Sequence, residues 1–138
     1  MQTVVDLDGN NVQWRLTGAI ARGSRGNKSE LHLRARKIIH SLYPTFQILE
    51  EVKIPLRKTE NLFLDFYLPL NRKCIEVHGE QHYKFVPYYH QNMMGFMKHK
   101  KRDQEKIEWC EINNIELIVL PFDKTDTQWE NIINDSNN

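Results

Sequence analysis

The chain has little with which to cross-link itself. Its two cysteines, Cys74 and Cys110, form no CxxC pair and stand among apolar residues, so they read as free core thiols of a reducing compartment. Long apolar runs are missing too. None approaches bilayer length, and the N-terminus has no signal-peptide pattern, which points to the cytoplasm. Repeats are absent, as is low complexity before the Asn-rich last residues. A charge excess is nearly absent as well: 19 Lys and Arg against 18 Asp and Glu leave a net charge of +1. Global charge therefore does not mark a nucleic-acid binder. A length of 138 residues, 40% of them hydrophobic, suits one soluble domain with a single core.

The distribution of charge says more than its sum. Seven basic residues lie between Arg15 and Lys37 (Arg15, Arg22, Arg25, Lys28, Arg34, Arg36, Lys37) against one acid, Glu30. A second cluster is Lys98, Lys100, Lys101, Arg102 and Lys106. Such local stripes supply phosphate affinity, or else are solvated helix faces.

Along the chain, VVDLDGNNVQW alternates apolar positions around a Gly-Asn-Asn turn and predicts an N-terminal hairpin. ARGSRGNK reads as a basic loop. Ser29 is placed to cap a helix, with Glu30 in its first turn and a stripe of Leu31, Ala35, Ile38 and Leu42 ending at Pro44. Three strands follow, FQILEEVKI, NLFLDFYL and KCIEVH. A helix over about Met93 to Asn113, the apolar strand IELIVLPF and a short helix TQWENIIND complete an αβββαβα order. The expected division is residues 1–28 as hairpin and basic loop, and 29–138 as a catalytic domain.

Asp65 is the one polar residue in LFLDFYL, and burying a lone carboxylate costs several kcal/mol without a partner. A hairpin closed at LPLNRK pairs Leu68 with Lys73. Three steps back along each strand, Asp65 then faces Glu76. Directly opposed acidic residues have Cβ atoms about 5 Å apart, and their carboxylates repel. A divalent cation between them, with oxygen ligands suited to Mg²⁺, removes the penalty; so does solvation at a sheet edge, or a Lys or Arg shared by both. Period-two alternation sets Cys74, Glu76 and His78 on one face, with Ile75 and Val77 on the other. Gly79 is expected to turn the chain so that His82 returns over the site. In the long helix Phe96, Asp103, Ile107 and Cys110 share one stripe, so Asp103 looks inward, able to orient an imidazole or to pair with Lys100 or Lys106.

LDFYLPLNRKCIEVHGEQHY followed by KKRDQEKIEWCEINNIELIVLPF resembles the PD-(D/E)XK, or restriction-endonuclease-like, nucleases. The likeness is greatest to the branch of very-short-patch repair and EDxHD homing endonucleases, and it runs from about Ser29 to Phe122. It implies an α/β fold with a mixed central sheet flanked by helices. It also implies Mg²⁺-dependent hydrolysis of phosphodiesters in double-stranded DNA, with Mn²⁺ able to substitute. By the same likeness, Glu30 matches a helix-borne acid, Asp65 the Mg²⁺-binding aspartate and Glu76 the (D/E) position. His78 stands where many members carry lysine; His82 and Asp103 complete the EDxHD set. The repair-type branch uses a backbone carbonyl near Glu76 as ligand, so the Val77 carbonyl is a candidate beside Glu76. No Cys/His set matches the repair enzymes' structural zinc site.

The expected mechanism has His82, oriented by Asp103, moving a proton at the attacking water or leaving oxygen. Glu30 holds a metal-bound water or a second ion. Arg22, Arg25, Lys28, Lys84, Lys100, Lys101, Arg102 and Lys106 are the expected DNA contacts. A homodimer would suit double-strand cleavage, and the setting is a bacterial or phage-infected cell. The rivals are a degenerate HNH-type site using HGEQH with His90 and Asn92, a non-catalytic DNA-binding module, and a junction or structured-RNA nuclease.

Overall fold

A computed structural model describes residues 2–16, 19–20 and 29–135. Strands β1 (Gln2–Val5) and β2 (Asn11–Trp14) form a hairpin. Its turn is closed by the Asp6 carboxylate, which accepts from the N–H groups of Asp8 and Asn10 at 2.9 Å. Gly9, at φ +86°, takes the left-handed conformation that a side chain would strain. The hairpin is not a loose addition: Trp14 is buried against Tyr67 and Trp109, and its indole N–H donates to the Lys53 carbonyl at 2.9 Å.

The main sheet has the order β3-β4-β5-β6-β7: Ala19–Ile20, Leu49–Arg57, Glu60–Leu68, Lys73–His78 and Glu116–Pro121. All neighbours are antiparallel except β6 and β7. A parallel pair needs a crossover. The chain supplies it through α2 (Pro87–His90) and α3 (Met93–Ile112), with Gly95 in the first turn of α3 set so tightly against the end of α2 that a Cβ would lie 2.1 Å from the His90 carbonyl oxygen. Helices α1 (Glu30–Leu42) and α4 (Asp126–Asp135) complete the fold. Ser29 caps α1 as expected, its Oγ accepting from the His32 N–H at 3.1 Å.

The sheet buries both faces, so there are two cores. Ala35 and Ile39 of α1 and Trp129 and Ile133 of α4 pack on Phe66, Leu68, Ile75 and Leu120. On the other face Trp109 and Cys110 of α3 and Val4 and Trp14 of the hairpin pack on Leu64, Tyr67 and Cys74. Both cysteines are buried and free. The facing of α3 differs from the predicted stripe: Ile107 is 39% exposed, whereas Trp109 and Cys110 are buried. Each residue turns a helix by about 100°, so seating the large indole of Trp109 rotates Lys106 inward and Ile107 out.

A second irregularity matters for the site. In β4, Val52, Ile54 and Leu56 lie in the α3-side core, yet Glu50 faces α1. In β5, Leu64 belongs to the α3 side and Phe66 to the α1 side. The faces therefore exchange at Glu51 and Asp65. Glu51 sits at φ +55°, a left-handed conformation that costs a non-glycine residue about 1–3 kcal/mol.

Glu50 carries a buried polar cluster under α1. Arg36 grips it with Nε and Nη2 at 3.0 Å each, and His32 Nε2 lies 2.6 Å from Oε1. Burial raises the Glu50 carboxyl, but the hydrogen bonds and charges of Arg36 and His32 outweigh it and hold it below its ordinary value. The stability so gained is present above the usual carboxylate range and is lost as pH falls through the lowered folded value. Glu50→Gln is expected to cost about 3 kcal/mol at pH 7 and to flatten the acid limb of stability, as urea melts between pH 3 and 7 will read. Among the described residues, no helix is long and apolar enough to cross a membrane.

Candidate active site

Three rungs pair β5 with β6: Leu68 with Lys73, Tyr67 with Cys74, and Phe66 with Ile75. One step further the ladder gives way to side chains. The Asp65 N–H donates to Glu76 Oε2 at 2.6 Å, and the Val77 N–H donates to Asp65 Oδ2 at 2.8 Å. Two carboxylates thus hold apart two strands that elsewhere hold each other. Beyond this point β5 stays with β4, and β6 with β7. The three rungs keep the register that the LPLNRK turn implied, and Asp65 and Glu76 meet one step beyond the last of them.

The cation that pairs with Glu76 is Lys106, from the inward face of α3. Its Nζ lies 2.7 Å from Glu76 Oε1, with the Glu76 side chain 3% exposed. Burial pulls the Lys106 ammonium down, but the charges of Glu76 and Asp65 outweigh it and hold it above its ordinary value. Asp65 remains short of positive charge. Burial, and then repulsion from Glu76, push its carboxyl up to about 7 despite Lys106 and the Val77 N–H.

The second half of the site is built by three elements. His78 ends β6, His82 closes the 3₁₀ turn Glu80–His82, and Asp103 lies on α3. His82 Nδ1 lies 2.8 Å from Asp103 Oδ2, and the rings of His78 and His82 stack with centroids 4.0 Å apart and planes 6° apart. Burial raises the Asp103 carboxyl, but the bond and charge of His82 outweigh it and hold it low. Burial and the neighbouring His82 push His78 down to about 4, so its ring is neutral at neutral pH. One nitrogen from each histidine and one Asp103 oxygen lie within 4.8 Å of one another, a set able to chelate a metal ion. Gly79 serves this turn differently from the expected way. Its φ of −74° is open to any residue; what it supplies is room for the Gln81 side chain, whose Oε1 would be 2.6 Å from a Cβ.

His82, Asp103, Arg102 and Lys106 open onto one cleft of about 290 Å³, also lined by His99 and Tyr89. His99 was not singled out from the sequence, although it stands three residues after Phe96 and four before Asp103 on the inward stripe. Of the expected DNA contacts, Arg22, Arg25 and Lys28 lie outside the described residues. Lys84 pairs with Glu80, Lys100 lies 6.0 Å from the Tyr83 ring centre, Lys101 is exposed, and Lys106 is committed to Glu76. Glu30 is exposed in the first turn of α1, a helix that packs on the sheet face opposite α3.

Whether these residues suit Mg²⁺ turns on donor type and charge. Asp65, Glu76 and the Val77 carbonyl are hard oxygen donors, and Asp65 is raised first by burial and then by the neighbouring Glu76 charge. They fit a divalent cation in kind, with Asp65 the main ligand, since both Glu76 oxygens already hold a partner.

The chain is 40% identical over 62 residues to uncharacterized protein 307L of Invertebrate iridescent virus 6, and 34% identical over 62 residues to uncharacterized protein 033L of Invertebrate iridescent virus 3. Each match covers 45% of this chain and 32% of the viral protein, so the chain spans about a third of the length of these relatives. No family model and no solved structure matches it.

Proposed function

We propose that the chain is a metal-dependent endonuclease of double-stranded DNA, built on a restriction-endonuclease-like sheet and akin to the phage-type EDxHD homing enzymes. The observation that carries this reading is the broken β5/β6 ladder. There, two carboxylates meet behind Lys106, and that lysine shares one cleft with the His82–Asp103 pair. Few purely structural demands place so many ionisable groups at the end of a buried strand, and perturbed carboxyls in a cleft mark reaction centres.

Each residue then has a task. Asp65, with the Val77 carbonyl and Glu76, would hold Mg²⁺, which when bound polarises a phosphoryl oxygen and stabilises the charge that builds on it. Glu76 fixes the Asp65 backbone and positions Lys106. Arg102 lines the cleft beside Asp103 and is placed to bind a phosphate oxygen. His82, held by Asp103 at Nδ1, presents Nε2 to accept a proton from water, and Asp103 stabilises the imidazolium that results. Lys98, Lys100 and Lys101, on the part of α3 that leads into the cleft, give the backbone of a duplex its counter-charge.

Supercoiled plasmid tests this directly. Nicking or linearisation is expected with Mg²⁺ and not with EDTA, and His82→Gln is expected to slow it by about 10²–10⁴-fold. Retarded but uncut DNA in both Mg²⁺ and Mn²⁺ would make the protein a binding module instead. Cutting of folded RNA alone would move the reading to the RNA nucleases.

A further inference from the structure

The carboxylate pair and the histidine cluster differ in donor chemistry, and one ion does not suit both. Asp65 and Glu76 offer only oxygen, whereas His78, His82 and Asp103 offer two imidazole nitrogens and one carboxylate oxygen. Mg²⁺ favours six oxygens and keeps its waters, while mixed imidazole–carboxylate sets select zinc and its neighbours. We infer that His78, His82 and Asp103 form a second metal site, specific for Zn²⁺-like ions, and that its occupation switches the nuclease off. The inference rests on the proposed function for its second clause only.

The geometry favours such a site in three ways. The ligands come from three differently anchored elements, a strand end, a 3₁₀ turn and a long helix, so they are held in place before any ion arrives. The two imidazoles are stacked face to face, so one ring must turn out of the stack before both lone pairs meet one ion. The three donor atoms lie within 4.8 Å, and ligands of one tetrahedral Zn²⁺ at 2.0–2.1 Å stand about 3.3 Å apart, so closure needs movements of about 1 Å. His82 and Asp103 line the cleft, which leaves an entry path and a fourth, solvent-facing position. The ion would stand where His82 and Asp103 now share a proton. An imidazole whose lone pair is given to zinc and whose carboxylate is withdrawn no longer takes a proton from water. Inhibition follows from the coordination itself.

The test uses the full chain stripped of metal with a chelator. Isothermal titration with ZnCl₂ is expected to show one ion per chain, bound at least about 100-fold tighter than Mg²⁺. His78→Gln and Asp103→Asn should each weaken Zn²⁺ by at least about tenfold, and Asp65→Asn should leave it unchanged. Should either ligand variant melt early, Co²⁺ added to the wild type serves instead: intense visible bands of a four-coordinate centre support the site, and their absence overturns it. Equal affinities for Zn²⁺ and Mg²⁺, or undiminished Zn²⁺ binding in both ligand variants, also overturn it. Micromolar Zn²⁺ added to a Mg²⁺ plasmid assay should stop cleavage, and cleavage that continues on a zinc-loaded protein refutes the switch. A protein that binds Zn²⁺ as described but never cuts DNA refutes the nuclease reading and leaves the metal site standing.

Discussion

Asp65→Asn is expected to abolish DNA cleavage and, above pH 7, to make the protein more stable. The loss of activity follows from the loss of the main hard ligand, worth several kcal/mol, or about 10³-fold in rate. DNA retention in a gel-shift assay should persist, because the expected phosphate contacts lie elsewhere. The gain in stability follows from linkage. The Asp65 carboxyl titrates at about 7 in the folded protein against an ordinary 3.8. The unfolded chain therefore releases its proton first, and folding loses stability progressively as pH rises from about 4 to about 7. Asparagine carries no such proton and can still accept the Val77 N–H through its amide oxygen. Thermal melts should show the variant about 3–6 °C above wild type at pH 8 and level with it at pH 4. Saturating Mg²⁺ should stabilise the wild type and not the variant. A variant that cuts DNA at the wild-type rate removes Asp65 from the mechanism.

Lys106→Met should do the opposite to stability. It leaves the buried Glu76 carboxylate beside Asp65 with no counter-charge, and uncompensated buried charges of this kind cost about 3–5 kcal/mol. For a chain of this length that is a fall in melting temperature of about 10 °C or more. The double variant Lys106→Met with Glu76→Gln should recover most of the loss, because the amide needs no cation and can still accept the Asp65 N–H. Additive effects in that double-mutant cycle would show that the 2.7 Å contact carries no energy. Activity should fall in both variants, and a double variant that regains stability without regaining cleavage would show that the lysine does more than hold the fold.

Much of this site was legible in the sequence, for reasons that can be named. The turn LPLNRK is short, so it fixes the β5/β6 register and with it the meeting of Asp65 and Glu76. Ser29 announces α1 because few other residues accept the first free N–H groups of a helix. Asp103 could be turned inward because it lies seven residues from both Phe96 and Cys110, near two turns of helix. Lys106 reads in the sequence as a DNA contact, and its inward pairing with Glu76 was missed for an equally physical reason. Four other cations precede it on α3, and a lysine among lysines reads as solvent-facing until the seating of Trp109 sets the helix rotation. The reversal of facing at Glu51 leaves no trace either, since the strained position carries glutamate where a glycine would have flagged it. Nor does period-two alternation foresee that the N-terminal hairpin drives Trp14 into the core. That contact joins residues far apart in the chain.

The long helix α3 behaves mechanically as a lever held firmly at its C-terminal end and seated on the short helix α2 at the other. Its C-terminal part is clamped by Trp109, Cys110 and the Asn113 side chain, which bonds the backbone of Val5 at 2.8 and 2.9 Å. Its other end carries Met93, Met94 and Met97, each more than half exposed. Asp103 and Lys106 sit between this clamp and the methionine end. A load applied at the methionine end is therefore carried along one element to both residues. It would move the ammonium relative to its carboxylates and the aspartate relative to its imidazole in a single stroke.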